Sequence, residues 1–339
     1  MILEASAPTR IDLAGGTLDI WPLYLFHEGA QTINAAISLR AHARLESRTD
    51  GVRSFRSVDT GRAVDVPKGA DLREARDLRL LTLLAHWALR RSGESALARD
   101  GFTLTTDCAS PAGAGIAGSS ALAVAAGAVL TRASGLPLEG EALLEAVKNV
   151  ECQTIAVPTG LQDYRPALYG GIAAVELDVD APRRVALPVD AAALERRLVL
   201  CYTGEPRNSG TNNWEITRRH LEGDRFIFDC FERIRDTAVA MREALVQSDW
   251  PAVSAAIEEE WANRTRLAPG VTTPVIDALI ARARAAGATA AKVCGAGGGG
   301  CLFCFTPPEH RAAVAAALES GGARLLPFSI ETEGLTWRD

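Results

Sequence analysis

The sequence predicts an α+β protein made of two closely packed halves. Strand-like and helix-like segments follow one another in mixed order. Past residue 204 the texture changes to long amphipathic helices, and neither an internal repeat nor a low-complexity linker interrupts the 339 residues. A chain of this length also favours two domains over one, and the change in pattern sets a boundary between residues 180 and 195.

Residues 31–47 alternate apolar and polar in their second half, as a half-buried strand does. Residues 72–91 carry apolar side chains at helical spacing and end on "RRSG", a basic last turn with a glycine stop. The strand "FTLTTDC", 102–108, leads into the glycine-rich "PAGAGIAGSSALA", 111–123, which turns helical after Ser119; a second helix follows over 139–155. Residues 170–178 and 196–204 are predicted strands, 213–262 and 273–286 helices. The C-terminal end then reads strand, glycine loop, strand, helix, strand.

Composition excludes several function classes. With 47% hydrophobic and 23% charged residues the chain can bury a sizeable core. Its net charge of -6 and lack of a basic block argue against nucleic acid as a partner. Residues 108–131 are uncharged, but a proline, four glycines and three serines interrupt them, so a buried loop and helix explain the stretch better than a membrane span. The first residues lack a signal-peptide pattern, and the seven cysteines, mostly inside apolar runs, read as reduced thiols; together these set the expectation of a cytoplasmic protein. Cys301 and Cys304 form a C-x-x-C within the apolar strand "CLFCF", with no second pair at zinc-ribbon spacing.

The chemistry begins at the first glycine loop. From Gly113 it starts like a phosphate-binding P-loop, yet Ser119 stands where that motif needs lysine. Gly113, Gly115 and Gly118 also satisfy G-x-G-x-x-G, as do Gly295, Gly297 and Gly300. The second match runs into a strand where a dinucleotide fold needs a helix, and the first is followed by another helix instead of a strand ending in an acid. What survives is an anion cradle: glycines let backbone N–H groups approach a polyphosphate, and the following helix aims its positive end there. Ser119 and Ser120 offer hydroxyls where magnesium needs hard oxygen ligands, or alternatively simple helix caps. Downstream, Glu151 and Asp163 are the carboxylates available for such a site, with helix capping or salt bridging as the plainer reading.

Three stretches together, "APTRIDLAGGTLDIWP" (7–22), "PAGAGIAGSSALA" (111–123) and "AKVCGAGGGGCLFCF" (291–305), resemble the motifs of the GHMP kinase superfamily in order and spacing. The details look most like its sugar-1-kinase branch, which includes D-glycero-D-manno-heptose 7-phosphate kinase and the kinase part of fucokinase. The resemblance implies a ribosomal-protein-S5-like N-terminal domain (1–190), a ferredoxin-like C-terminal domain (191–339), and ATP with Mg2+ bound between them. It assigns the ATP phosphates to Pro111, Gly113, Ala114, Gly115, Gly118 and Ser119, and magnesium to Ser120 and Glu151. It further makes Asp163 the catalytic base and Arg10 the stabiliser of charge near the transferred phosphoryl group. Asp19, with Gly16, Thr17 and Gln162, would hold the sugar, while Gly295, Gly297 and Gly298 form the third-motif loop.

The chain also departs from that pattern. Leu18 stands where related sugar kinases usually have threonine, so either a sugar hydroxyl loses a partner or Thr17 supplies it. Trp21 and Pro22 put an aromatic wall near the pocket, and Arg207 is a candidate for a phosphate already on the substrate or for a surface salt bridge. The expected reaction is ATP-dependent phosphorylation of a sugar hydroxyl, the anomeric C1 of a heptose 7-phosphate or related sugar. The alternatives are galactose, fucose, glucuronate or mevalonate as substrate, or a sensor without turnover. A sensor should have lost part of the set Ser120, Glu151 and Asp163, and all three are present. Oligomeric state, a homodimer included, is left open.

Overall fold

The computed structural model describes residues 1–93, 95–136, 138–205 and 209–338, the side chains of 209–212 excepted. In chain order the elements are β1 (Ile2–Ala14), β2 (Gln31–Ser47), β3 (Arg53–Ser57), β4 (Arg62–Val66), α1 (Arg79–Ser92), α2 (Ala96–Asp100), β5 (Phe102–Cys108), α3 (Gly118–Ala133), α4 (Gly140–Ile155) and α5 (Tyr164–Tyr169). There follow β6 (Ile172–Glu176), β7 (Arg183–Ala186), α6 (Ala191–Glu195), β8 (Leu198–Tyr202), α7 (Ser209–Leu221), α8 (Arg225–Gln247), α9 (Trp250–Leu267) and α10 (Pro274–Ala285). The chain ends with β9 (Ala290–Val293), β10 (Cys301–Phe305), α11 (Arg311–Ser320), β11 (Arg324–Leu325) and β12 (Thr336–Arg338). The α+β class is as predicted.

The predicted helix over 72–91 begins late. Its first residues form a 3-10 turn that Asp71 caps, and α1 starts only after Leu78, which takes a left-handed conformation at φ 50°. A short polar side chain accepting its neighbour's N–H closes that turn before helical bonding can propagate.

The first sheet runs β12-β1-β2-β5-β3-β4, with β6 on β2 and β7 on β6; β3 and β5 are parallel and the other pairs antiparallel. Strand β12 returns from the far end of the sequence to pair with β1, as Ser6 opposite Thr336. Pro8 cannot donate to the ladder, and the β1–β2 register shifts between Pro8 and Thr9 and again between Asp12 and Ala14. Between the two shifts Arg10 and Asp12 keep the two-residue period that turns both to one face.

The second sheet, β11-β8-β10-β9, is antiparallel throughout. Taken in chain order its strands sit 4-1-3-2, with helices crossing from the first strand to the second and from the third to the fourth. That is the ferredoxin-like split βαβ arrangement.

An apolar core joins the two sheets: Ile11, Leu13, Ile33 and Ile37 meet Leu198, Leu200, Phe303 and Met241, and Ala114 and Ile116 of the glycine loop pack into the same cluster. Burying such side chains contributes roughly 1.5–3 kcal/mol each. The glycine loop is thereby anchored by its apolar residues while its glycines stay free to face the cavity. Beside a separate apolar cluster that includes Ile227 and Phe231, His27 and His220 face each other, Nε2 to Nε2 at 2.9 Å, and His27 Nδ1 meets Glu232 at 2.5 Å. Sequence spacing gives no sign of that pair. No helix among the described residues is long and apolar enough to cross a membrane.

Candidate active site

A cavity of about 360 Å³ opens where the glycine loop, the end of β1, the turn before α5 and the β9–β10 loop converge. Its volume is that of a small-molecule site.

One wall is the loop before α3. Gly113, Gly115 and Ala117 take positive φ (70°, 79° and 63°), alternating with ordinary residues. Such alternation curls successive N–H groups into a concave nest for an anion. Ala117 is the N-cap of α3 and has no side chain to cap it. The first N–H groups of the helix, whose positive end carries about half a charge, therefore remain open to a ligand. Serine capping, the plainer sequence reading, is not what the helix start uses. Backbone bonds fix the loop from behind: Arg10 N–H donates to Ile116 O at 3.1 Å and Cys301 N–H to Ala114 O at 2.6 Å. Pro111, Gly113, Ala114, Gly115, Gly118, Ser119 and Ser120 all line the cavity.

Against the cradle sits Arg10, only 1% exposed. Its Nε and Nη2 donate to Asp163 Oδ1 at 3.0 and 2.5 Å, and its Nη1 donates to Gly115 O at 2.8 Å. Burial alone would lower the Arg10 pKa, but Asp163 and then Asp12 outweigh it and hold the guanidinium above its ordinary value. One arginine thus ties the first motif, the phosphate loop and the Asp163 carboxylate together. Asp163 Oδ2 is left to the cavity, which Asp163 lines with a side chain 20% exposed.

Glu151 reaches the cavity from late in α4 and is buried. Tyr164 donates to its Oε2 at 2.7 Å, and the Ser119 and Ser120 hydroxyls also bond to it. Burial pushes its carboxyl up, against those three hydroxyl bonds. A buried carboxylate beside two hydroxyls is a hard-oxygen donor set that would suit magnesium, and it adjoins a nest of N–H groups that would suit phosphate.

Asp19 lies past the end of β1. Its Oδ2 accepts from the backbone N–H of Leu161 at 2.6 Å and of Gln162 at 2.8 Å. Burial, with the nearby Asp163 charge, raises its pKa to about 6 despite those two bonds. The bonds require a close approach that only Gly160 allows, since a Cβ there would run into the Asp19 carboxylate. Sequence reasoning passed over Gly160 because a single glycine in the run "PTG" reads as an ordinary turn.

Thr17, Gln162 and Gly295 also line the cavity, whereas Gly16, Gly297 and Gly298 are not on its wall. A side chain at Gly16 would meet Asp12 and Arg264, and those at Gly297 and Gly298 would press on Val271 O and Gly270 O. These glycines serve backbone packing behind the site. Trp21 is 66% exposed and does not line the cavity, so it walls nothing there. Arg207 lies outside the described residues.

Behind the cavity is a buried quartet absent from the sequence reading. Lys292 Nζ, fully enclosed, lies 2.8 Å from Glu260 Oε1 and 3.4 Å from Asp12 Oδ1. Arg264 Nη1 lies 3.7 Å from both acids, and its Nη2 donates to Thr17 Oγ1 at 3.0 Å and to Gly295 O. Glu260 Oε2 accepts from Gly15 N–H at 2.7 Å. Burial would raise the Asp12 pKa, but Lys292, Arg264 and Arg10 hold it below the ordinary value.

Two family models match the chain, GHMP kinases N terminal domain over residues 80–171 and GHMP kinases C terminal over 241–324. Among relatives, the chain is similar to D-glycero-alpha-D-manno-heptose 7-phosphate kinase of Campylobacter jejuni, 27% identical with 99% of each chain covered. It is also similar to mevalonate kinase of Pyrococcus abyssi, 26% identical over 98% of this chain and 97% of the other. The crystal structure of a D-glycero-D-manno-heptose 1-phosphate kinase from Bacteriodes thetaiotaomicron superimposes with a TM-score of 0.79, covering 100% and 99% of the two chains at 22% identity, a likeness of fold.

Proposed function

The chain belongs to the GHMP kinase superfamily, and from that premise we propose that it transfers the γ-phosphoryl group of ATP to a sugar, at the anomeric C1 hydroxyl of a heptose 7-phosphate or a related sugar. One observation carries the reading: Asp163, fixed by Arg10 against the phosphate cradle, faces the same cavity as Asp19. A proton acceptor then lies between an anion site and a carboxylate suited to hydroxyl groups.

The nest before α3 and the open helix end bind the polyphosphate of ATP, using N–H groups that need no reorganisation. Ser120 and Glu151 hold magnesium, which when bound neutralises charge on the phosphate oxygens. Asp163 accepts or orients the proton of the attacking sugar hydroxyl, through the oxygen that Arg10 leaves free. Arg10 fixes that carboxylate and adds one positive charge where negative charge spreads during transfer. Phosphoryl transfer demands mainly positioning and charge stabilisation, so a cradle, two hard-oxygen ligands and one cation make a sufficient set. A cytoplasmic setting is supported by the cysteines, five of the seven being buried, as reduced thiols that behave as small apolar side chains are.

The test is ADP release with ATP and magnesium over heptose 7-phosphate, fucose, galactose, glucuronate and mevalonate, with the product's phosphate position read by 31P NMR. Heptose 7-phosphate is expected to give the highest kcat/KM and an anomeric phosphate. Preference for mevalonate would overturn the sugar reading, and nucleotide binding without ADP release on every substrate would overturn the kinase reading.

A further inference from the structure

Eleven buried side-chain nitrogen or oxygen atoms lack a hydrogen-bond partner among the described residues; two of them, Gln162 Oε1 and Asn213 Oδ1, belong to residues that line the cavity. An acceptor buried without a partner carries its full desolvation penalty, so each is poised for a ligand group. Both are acceptors, and they join the carboxylate oxygens left over at this end. Asp19 Oδ2 and Asp163 Oδ1 are occupied by the protein, which leaves Asp19 Oδ1 and Asp163 Oδ2. Among the described lining residues Arg10 is the one cation, and its guanidinium nitrogens are already bonded to Asp163 and Gly115.

We infer that Asn213 is a specificity-determining residue, whose carboxamide works with Gln162 to read a ring hydroxyl of the acceptor. This rests on the proposed sugar-kinase reading and narrows it: where these acceptors line the cavity, the site selects the neutral hydroxyls of the sugar ring. Unpaired acceptor oxygens welcome hydroxyl donors. A hydroxyl both donates and accepts, so it satisfies a carboxamide in either amide orientation. The two amides also come from different elements. Gln162 sits in the turn before α5, where its own N–H braces Asp19, while Asn213 stands on α7, after the first strand of the second sheet. A sugar held by both is gripped across the junction of the two sheets, and one missing a hydroxyl leaves a buried acceptor unpaired. That is the situation in which hydrogen-bonding sites discriminate most strongly.

The experiment compares wild type, Asn213→Ala and Asn213→Ser on heptose 7-phosphate and on analogues lacking one ring hydroxyl at a time. Asn213→Ala is expected to raise the sugar KM about 3- to 10-fold, the value of one neutral hydrogen bond, with the ATP KM unchanged. For one analogue the penalty seen in wild type should shrink toward unity in Asn213→Ala. Asn213→Ser, which keeps a neutral acceptor, should recover part of the affinity. An unchanged sugar KM with an unchanged analogue pattern would overturn the inference, as would equal losses for sugar and ATP, the mark of a merely structural side chain. If wild type turns over no sugar, the underlying reading falls with it, whereas wild-type turnover matched by Asn213→Ala sinks this inference alone.

Discussion

Asp163 and Asp19 are two aspartates in one cavity, separated in role by what surrounds each. Asp163 is braced by a guanidinium, while Asp19 has only two backbone N–H donors and feels Asp163 as a like charge. Asp163→Asn keeps the shape and one acceptor for Arg10 but cannot take a proton. It should lower kcat about 10²- to 10⁴-fold with little change in the ATP KM, and steady-state ADP release would measure it. Full activity would remove Asp163 as the base. Asp19 supplies the pH dependence. With a pKa of about 6 it is ionised at neutral pH and protonates as the pH falls through that value, losing an acceptor for sugar hydroxyls. The sugar KM should therefore rise as pH drops below about 6, and the profile should flatten in Asp19→Asn. Stability moves the other way: because the folded pKa exceeds the ordinary 3.8, ionised Asp19 weakens the fold above about pH 6 and is relieved below it. That cost is on the order of 3 kcal/mol, so Asp19→Asn should raise Tm at pH 7.5 more than at pH 4.5.

At the scale of elements, the turn before α5 is the tightest joint of the site. Leu161 and Gln162 can bond to Asp19 only because residue 160 lacks a Cβ. Gly160→Ala should push the turn off Asp19, raising the sugar KM at least tenfold while costing about 1–3 kcal/mol from overcrowding, read from sugar kinetics and urea unfolding. An unchanged KM would mean that Asp19 does not need this brace. The turn also shows where the sequence was legible. The concave glycine loop could be read directly, since Gly113, Gly115, Gly118 and the serines lie within a few residues of one another and a strand, loop and helix surround them. Strands β2 and β5 were legible to the residue because their periodicity is local. Strand β1 was not, because Pro8 and two register shifts break its pattern. Gly160 was missed because its requirement comes from a residue 141 positions earlier, and no window along the chain contains both.

The quartet of Asp12, Glu260, Arg264 and Lys292 carries the same lesson to the whole molecule. Asp12 and Lys292 are single strand residues and Glu260 and Arg264 an ordinary i,i+4 pair on α9, and their joint significance exists only once β1, α9 and β9 are assembled. Two cations and two anions balance, and through Gly15, Thr17 and Gly295 they fasten the first motif to the third. The apolar core shared by both sheets acts alongside them, so the two halves should unfold together in one urea transition. Lys292→Met tests the clasp. Removing one cation leaves Glu260 and Asp12 buried with a single counter-charge, at a cost of roughly 3–5 kcal/mol. Removing the anion as well, in Lys292→Met with Glu260→Met, restores balance between Asp12 and Arg264 and refills the space with apolar atoms. The double variant should thus be more stable than the single one, although Gly15 N–H loses its acceptor. Urea midpoints of wild type, both single variants and the double variant form the cycle that measures this. Additive losses would mean that the four charges act independently, and that the apolar core alone joins the halves.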